Sequence, residues 1–228
     1  LSISNLQVHT LKLKKQCDAN AHNYNYKECF MDNQKNTKSS RGAIAAGLFI
    51  ALYLVTYVII GAICMPVAVL FLLMPELVAF FAAPIYHTML TKAPGWISIF
   101  LAAVIPSLFL IATGHIPITP LVAVPAGLIA VLLAKKGQYK SFKWNAISHT
   151  IFSLNLFGGF LPIWVMRDYF FQHTLEGGMN KAFCDTVRAL TPWWVLPVMM
   201  IATMLSSLLG SLFTKKVLHK RLEKAGIV

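Results

Sequence analysis

Hydrophobic and polar positions along this chain fall into long blocks rather than into alternating or heptad patterns. After Arg41, the run RGAIAAGLFIALYLVTYVIIGAI carries no charged residue. About twenty such residues, each rising about 1.5 Å, match a hydrocarbon core of about 30 Å, so the block predicts a membrane-spanning helix over about residues 42–63. In its first half Ala43, Gly47 and Ala51 recur four residues apart on one face, beside Gly42 and Ala46. Small residues at that spacing let a second helix approach the backbone, either a docking partner or a neighbour within the same bundle.

Five further blocks predict spans over about residues 76–91, 96–112, 118–134, 145–166 and 192–213. CMPVAVLFLLMP, bracketed by Pro66 and Pro75, reads as a loop or a short helix at one membrane face. Pro75 and Glu76 suit a first helical turn, because proline lacks no needed donor there and a carboxylate complements the dipole. Pro84 predicts a kink in the second span; Gly158, Gly159 and Pro162 interrupt the fifth. Residues 167–191 carry mixed charges and no apolar run, which predicts an aqueous loop with one amphipathic helix. KKGQYKSFK is the clearest loop, and Trp144 at its edge suits an interfacial anchor. The fold class expected is all-α, a polytopic six-helix membrane domain over residues 41–228 behind a polar tail over residues 1–40.

The tail is rich in Asn, Lys and His and has no apolar repeat able to bury a core, so disorder is expected there. Met31 opens a short basic leader into the first span, and residues 1–30 are expected to be an upstream extension or a dispensable tail.

Composition agrees with the block pattern. The chain is 57% hydrophobic and 12% charged, with a mean hydropathy of +0.65, which is too apolar for a soluble domain. A net charge of +12 would suggest nucleic acid in a soluble protein. Here Lys and Arg sit between apolar blocks, where they set topology, and no nucleic-acid partner is expected. From Met31 onward thirteen Lys and Arg fall in the segments before span one, after spans two, four and six; three (Arg167, Lys181, Arg188) fall on the other side. That asymmetry predicts both termini in the cytoplasm of a prokaryotic cell, an even number of spans and a multi-pass protein of the plasma membrane. Cys17, Cys29, Cys64 and Cys184 show no paired spacing, so no metal site is expected. Cys64 and Cys184 both fall outside by this count, and a disulfide between them is one arrangement it allows.

On the outer side the count gathers Glu76, His115, Asn155, Trp164, Arg167, Asp168, Trp193 and Trp194 as candidate substrate contacts, with Tyr169 beside them. Each has a structural alternative. Glu76 suits a helix cap, His115 a surface turn, Arg167 and Asp168 ion pairs at the membrane surface, and the two tryptophans an interfacial belt. His149 and Asn155 lie six residues apart, about 600° of helical rotation, so they do not share a face. No HExxH, GxSxG, paired-carboxylate or phosphate-loop pattern occurs, so no catalytic residues are named and no cofactor is expected.

From about Ser39 to Val228 the chain resembles the substrate-binding (S) components of energy-coupling factor (ECF) transporters, specifically the Trep_Strep group. The resemblance rests on GLFIALYLV, the TGHIP turn, the KKGQYKSFK loop with the span after it, LPIWVMRDYF and LTPWWVLPVMMIATMLSSLLGSLFTKKVLHKRLEKAGIV. It implies a six-helix subunit that captures a micronutrient (a vitamin, haem, siderophore or metal-related cargo) and works with a transmembrane coupling subunit and two ATP-binding subunits. ATP would be used by those partners alone. It further implies docking through small residues of the first helix, which Ala43, Gly47 and Ala51 match, with Gly at the centre in place of the usual Ala. Two other classes stay open: a membrane-embedded enzyme acting on lipid or a small molecule, and a non-transporting accessory protein.

Overall fold

The computed structural model describes residues 26–224, with side chains from 42 to 217, and every regular element among them is helical. In chain order these are α1 (Tyr26–Cys64), α2 (Ala68–Leu72), α3 (Met74–Lys92), α4 (Trp96–Ala112), α5 (Pro120–Lys136), α6 (Phe142–Phe152), a 3-10 turn (Ser153–Gly158), α7 (Pro162–Val165), α8 (Arg167–Glu176), α9 (Lys181–Leu190) and α10 (Val195–Lys224).

Three expectations need correction. The polar tail is helical from Tyr26, continuous with the first span; a helix already nucleated by the apolar block adds further turns at lower cost than a new helix would need. The expected disorder and upstream start otherwise fall on residues 1–25, outside the described part. The fifth span is not one helix, because α6 stops at Phe152 and the chain tightens into the 3-10 turn before Gly158 and Gly159. At Gly158 a Cβ would run into the Thr119 backbone, so the chain there passes too close to α5 for any other residue. Residues 167–191 hold two helices, α8 and α9, with Asn180 capping α9 through the Ala182 amide at 2.9 Å.

Gly42–Cys64 and Val195–Val217 are long and apolar enough to cross a membrane, and Trp96–Ala112 is a shorter apolar helix. The distribution of side-chain size says which solvent the bundle meets. On α5 the buried positions are Ala123, Ala126, Gly127, Ala130, Val131 and Ala134, whereas Leu121, Leu128, Ile129 and Leu132 point outward. α10 repeats the pattern: Thr203, Ser207, Gly210 and Ser211 face inward, while Val198, Ile201, Leu205, Leu209 and Leu212 are exposed. Large residues outside and small ones inside are what lipid selects, since tails as apolar as leucine provide no hydrophobic drive and close backbone packing must hold the helices together.

The most extensive packing joins α3 to α10. A Cβ at Gly210 would stand 2.6 Å from the Phe80 carbonyl oxygen and 3.0 Å from the Ala83 methyl. Glu76 meets Thr203 and Ser206, while Phe80 meets Gly210 and Phe213, so these two helices run parallel. α4 and α5 are antiparallel, with Ser107 beside Thr119 and Ala103 beside Gly127. α5 and α6 are antiparallel, with Ala130 beside Ser148 and Lys136 over Trp144. α10 opposes α6, as Ser207 lies by His149 and Lys215 by Phe142. α3, α5 and α10 therefore share one direction, and Lys92, Lys135 and Lys136 in the last turns of α3 and α5 lie at the same end of the bundle as Lys215 of α10.

Candidate functional site

Two buried polar groups lie along the α3–α10 contact. At the end away from the lysines, the Thr203 hydroxyl donates to Glu76 Oε1 at 3.2 Å and the Ser206 hydroxyl to the Glu76 carbonyl at 2.7 Å, while Glu76 Oε2 is buried without a partner. Glu76 thus sits in the first turn of α3, as a dipole-complementing carboxylate should, and still keeps one free oxygen. Nearer the lysine end, His149 Nδ1 shares a 2.6 Å hydrogen bond with Ser207 and a longer one of 3.4 Å with Ser211. Tyr86 and Ser148 are hydrogen-bonded at 2.6 Å beside it, and Ser148 donates on to the Ala130 carbonyl.

The second group went unnoticed in the sequence, although its signal was there. Thr203, Ser207, Ser211 and Thr214 recur at helical spacing and all face inward, three of them with no exposed surface. Read along the apolar run MIATMLSSLLGSLFT, they are a hydroxyl stripe, and such a stripe has to meet polar partners on neighbouring helices.

The residues named as substrate contacts separate into three environments. Asn155 is buried and bonded within the protein, its amide donating to the Phe152 carbonyl at 2.6 Å and pairing with the Tyr53 hydroxyl. Trp164 is also buried, with Nε1 donating to the Pro192 carbonyl at 3.1 Å. Arg167 reaches back to the chain before α10: Nη1 donates to the Thr191 carbonyl at 2.7 Å and Nη2 to the Arg188 carbonyl. That arrangement satisfies the last turn of α9 with a cation, which a helix C-terminus favours. Asp168 pairs with Arg188 at 2.8 Å on the surface. His115 is exposed and bonded to the Thr113 hydroxyl, and its neighbour Gly114, at φ +89°, offers its carbonyl to His173 Nε2 at 2.8 Å. Trp193 and Trp194 are both 66% exposed and bare of partners among the described residues, as an interfacial belt would be. Glu76, His115 and Arg167 share no hydrogen bond among the described residues.

A recess of about 280 Å³ opens between α8 and α9, lined in part by Asp168, Phe171, Gln172, Asp185 and Arg188. The Arg188 guanidinium lies 4.9 Å from the Phe171 ring centre, so cation and aromatic brace the wall they share. Cys184 lines the same recess, and burial together with the Asp185 carboxylate pushes its thiol above the ordinary range, leaving it a poor nucleophile. Cys64 and Cys184 are both free and buried, so the disulfide that the charge count allowed is not formed. Replacing Arg167 with Gln should release the α9 terminus: with two charge-assisted bonds lost, amide exchange across residues 181–191 is expected to rise about tenfold or more, with the spanning helices unaffected. Unchanged exchange would show that α9 is held by other contacts.

Ala43, Gly47 and Ala51 are exposed, and a Cβ at Gly47 would meet no atom within 4 Å. The small-residue stripe of α1 is therefore not used for packing among the described residues.

The profile of a family described as hypothetical bacterial integral membrane protein (Trep_Strep) matches residues 40–224. The chain belongs to this family. Comparison with curated proteins and with solved structures finds no match. A Trep_Strep protein is thus an integral membrane protein of the bacterial cell membrane, as the outward leucines of α5 and α10 require.

Proposed function

We propose that this Trep_Strep protein is the substrate-capture subunit of an ECF-type importer, taking a micronutrient on the outer side and handing it to a coupling subunit driven by separate ATPases. The observation that carries this reading is the stripe of Ala43, Gly47 and Ala51 on α1: three small, exposed residues at helical spacing on a membrane helix. A lipid-facing surface needs bulk, not small residues, and a surface kept small invites another helix.

The helix directions favour six crossings with both termini inside. α3, α5 and α10 run one way, α4 and α6 the other, and α1 from Tyr53 onward runs with α6, since Tyr53 meets Phe152 and Tyr57 lies near Gly159. Lysines at the ends of α3, α5 and α10 then lie on the cytoplasmic side, where basic residues concentrate. The broken fifth span and the α8–α9 pair fall at the outer end, with the recess lined by Asp168, Phe171 and Arg188 open to the medium there. Glu76, partly buried and with one unpartnered oxygen, is an ionisable group on that side suited to meet a cargo.

The test is purification from the native membrane without added ligand. A small molecule retained at about one per chain, together with the coupling subunit and its ATPases in the same complex, is the expected outcome. A chain that comes out alone, carrying nothing but lipid, would overturn the reading in favour of an accessory protein.

A further inference from the structure

Among the described residues, four buried side-chain atoms lack a hydrogen-bond partner, and two of them are imidazole nitrogens of one neighbourhood: His87 Nε2 on α3 and His149 Nε2 on α6. His149 has no exposed surface and His87 is 8% exposed. Their ring centres are 6.0 Å apart. An orphaned polar atom inside a membrane protein is unfavourable by about 1–3 kcal/mol, and two on rings this close are within range of one shared guest.

We infer that His87 and His149 form a two-nitrogen site for a single monovalent soft metal ion of the copper(I) type, clamping α3 to α6 beneath α10. Geometry, ligand chemistry and charge agree on that class. With metal–nitrogen bonds of about 2.05 Å and each nitrogen about 1.1 Å from its ring centre, two imidazoles sharing an ion have centres about 6.3 Å apart when collinear and about 5.1 Å apart at a tetrahedral angle. The observed 6.0 Å lies toward the collinear limit, the two-coordinate geometry that a monovalent d10 ion accepts. Calcium and magnesium require six or more oxygen donors, and structural zinc four ligands. No group of three or more His, Cys, Asp or Glu able to hold an ion occurs among the described residues.

Charge narrows the class again. Among the described residues no Asp or Glu completes a group with the pair, and Lys215 lies at the same end, 5.2 Å from the Phe142 ring on which His87 stacks. A divalent ion would stand there uncompensated, and one positive charge is the least demanding cation. The supporting bonds also fit. When Nδ1 of His149 donates to the Ser207 hydroxyl, the ring is fixed in the tautomer that leaves Nε2 its lone pair, the arrangement in which metal-binding histidines are commonly held. The site lies toward the lysine-bearing end of the bundle and stands apart from the importer reading, which concerns the opposite end and the face of α1.

The test titrates the full-length detergent-purified chain with copper(I), supplied anaerobically against a colorimetric chelator, alongside H87F and H149N. Phenylalanine preserves the stack on Phe142, and asparagine keeps a donor toward Ser207 while removing Nε2, so either variant that folds serves. The expected result is one ion per chain, reduced at least tenfold in affinity by each variant. The copper absorption edge should report two nitrogen neighbours and no sulfur. Equal uptake by wild type and variants, a sulfur neighbour, or no uptake by the wild type would each overturn the site.

Discussion

Gly210→Leu should abolish the folded protein. The Cβ alone would stand 2.6 Å from a backbone carbonyl on α3, and neither helix can yield without separating the whole α3–α10 contact, including Glu76 to Thr203 and the stripe that meets His149. Overpacking in a well-packed interior is unfavourable by about 1–3 kcal/mol where a side chain can give way, and backbone against backbone lies at or beyond the top of that range. The measure is the monodisperse fraction on gel filtration in mild detergent, with the midpoint of thermal unfolding. Gly47→Leu is the control, because its Cβ enters open space and should leave both readings unchanged. Comparable loss in the two variants would mean that glycine content rather than the α3–α10 approach governs stability.

Gly47→Trp should separate folding from partnership. An indole projected from the middle of the exposed stripe keeps a partner helix from closing on Ala43 and Ala51, and the distance it imposes removes the close backbone contact on which small-residue association depends. Co-purification with a coupling subunit and its ATPases is expected to fall at least tenfold, and uptake of the cargo with it, while cargo binding to the isolated subunit stays as in the wild type. Should the complex form normally, that face of α1 is not where the partner docks, and the importer proposal loses the observation that carries it.

Much of the fold was legible in the sequence, because membrane solvation acts on composition. Pro75 and Glu76 begin α3 as their chemistry requires, Pro66 and Pro75 bracket the short helix α2, and the lysines that end α3, α5 and α10 marked one end of the bundle in advance. Gly158, Gly159 and Pro162 marked the interruption of the fifth apolar block, but not that α6 already stops at Phe152, because the close approach of Gly158 to Thr119 is made to another element. Arg167 and Trp164 looked like ligand contacts, because an exposed guanidinium and an indole near a span end do not reveal that carbonyls at 188, 191 and 192 await them.

What the sequence determined by itself was the solvent and the charge pattern: helical blocks such as 42–64 and 195–217 are apolar enough for lipid, and lysines collect between and beyond the apolar blocks. These follow from transfer free energy and charge, which each residue carries with it wherever it sits. Rotation of the helices about their axes, and so which polar groups meet, was decided only by the tertiary structure. Ser207 faces His149 across 58 residues of chain, and Tyr53 faces Asn155 across 102. Such pairings depend on the register of close-packed alanines, glycines and serines between helices, and no single helix contains that information.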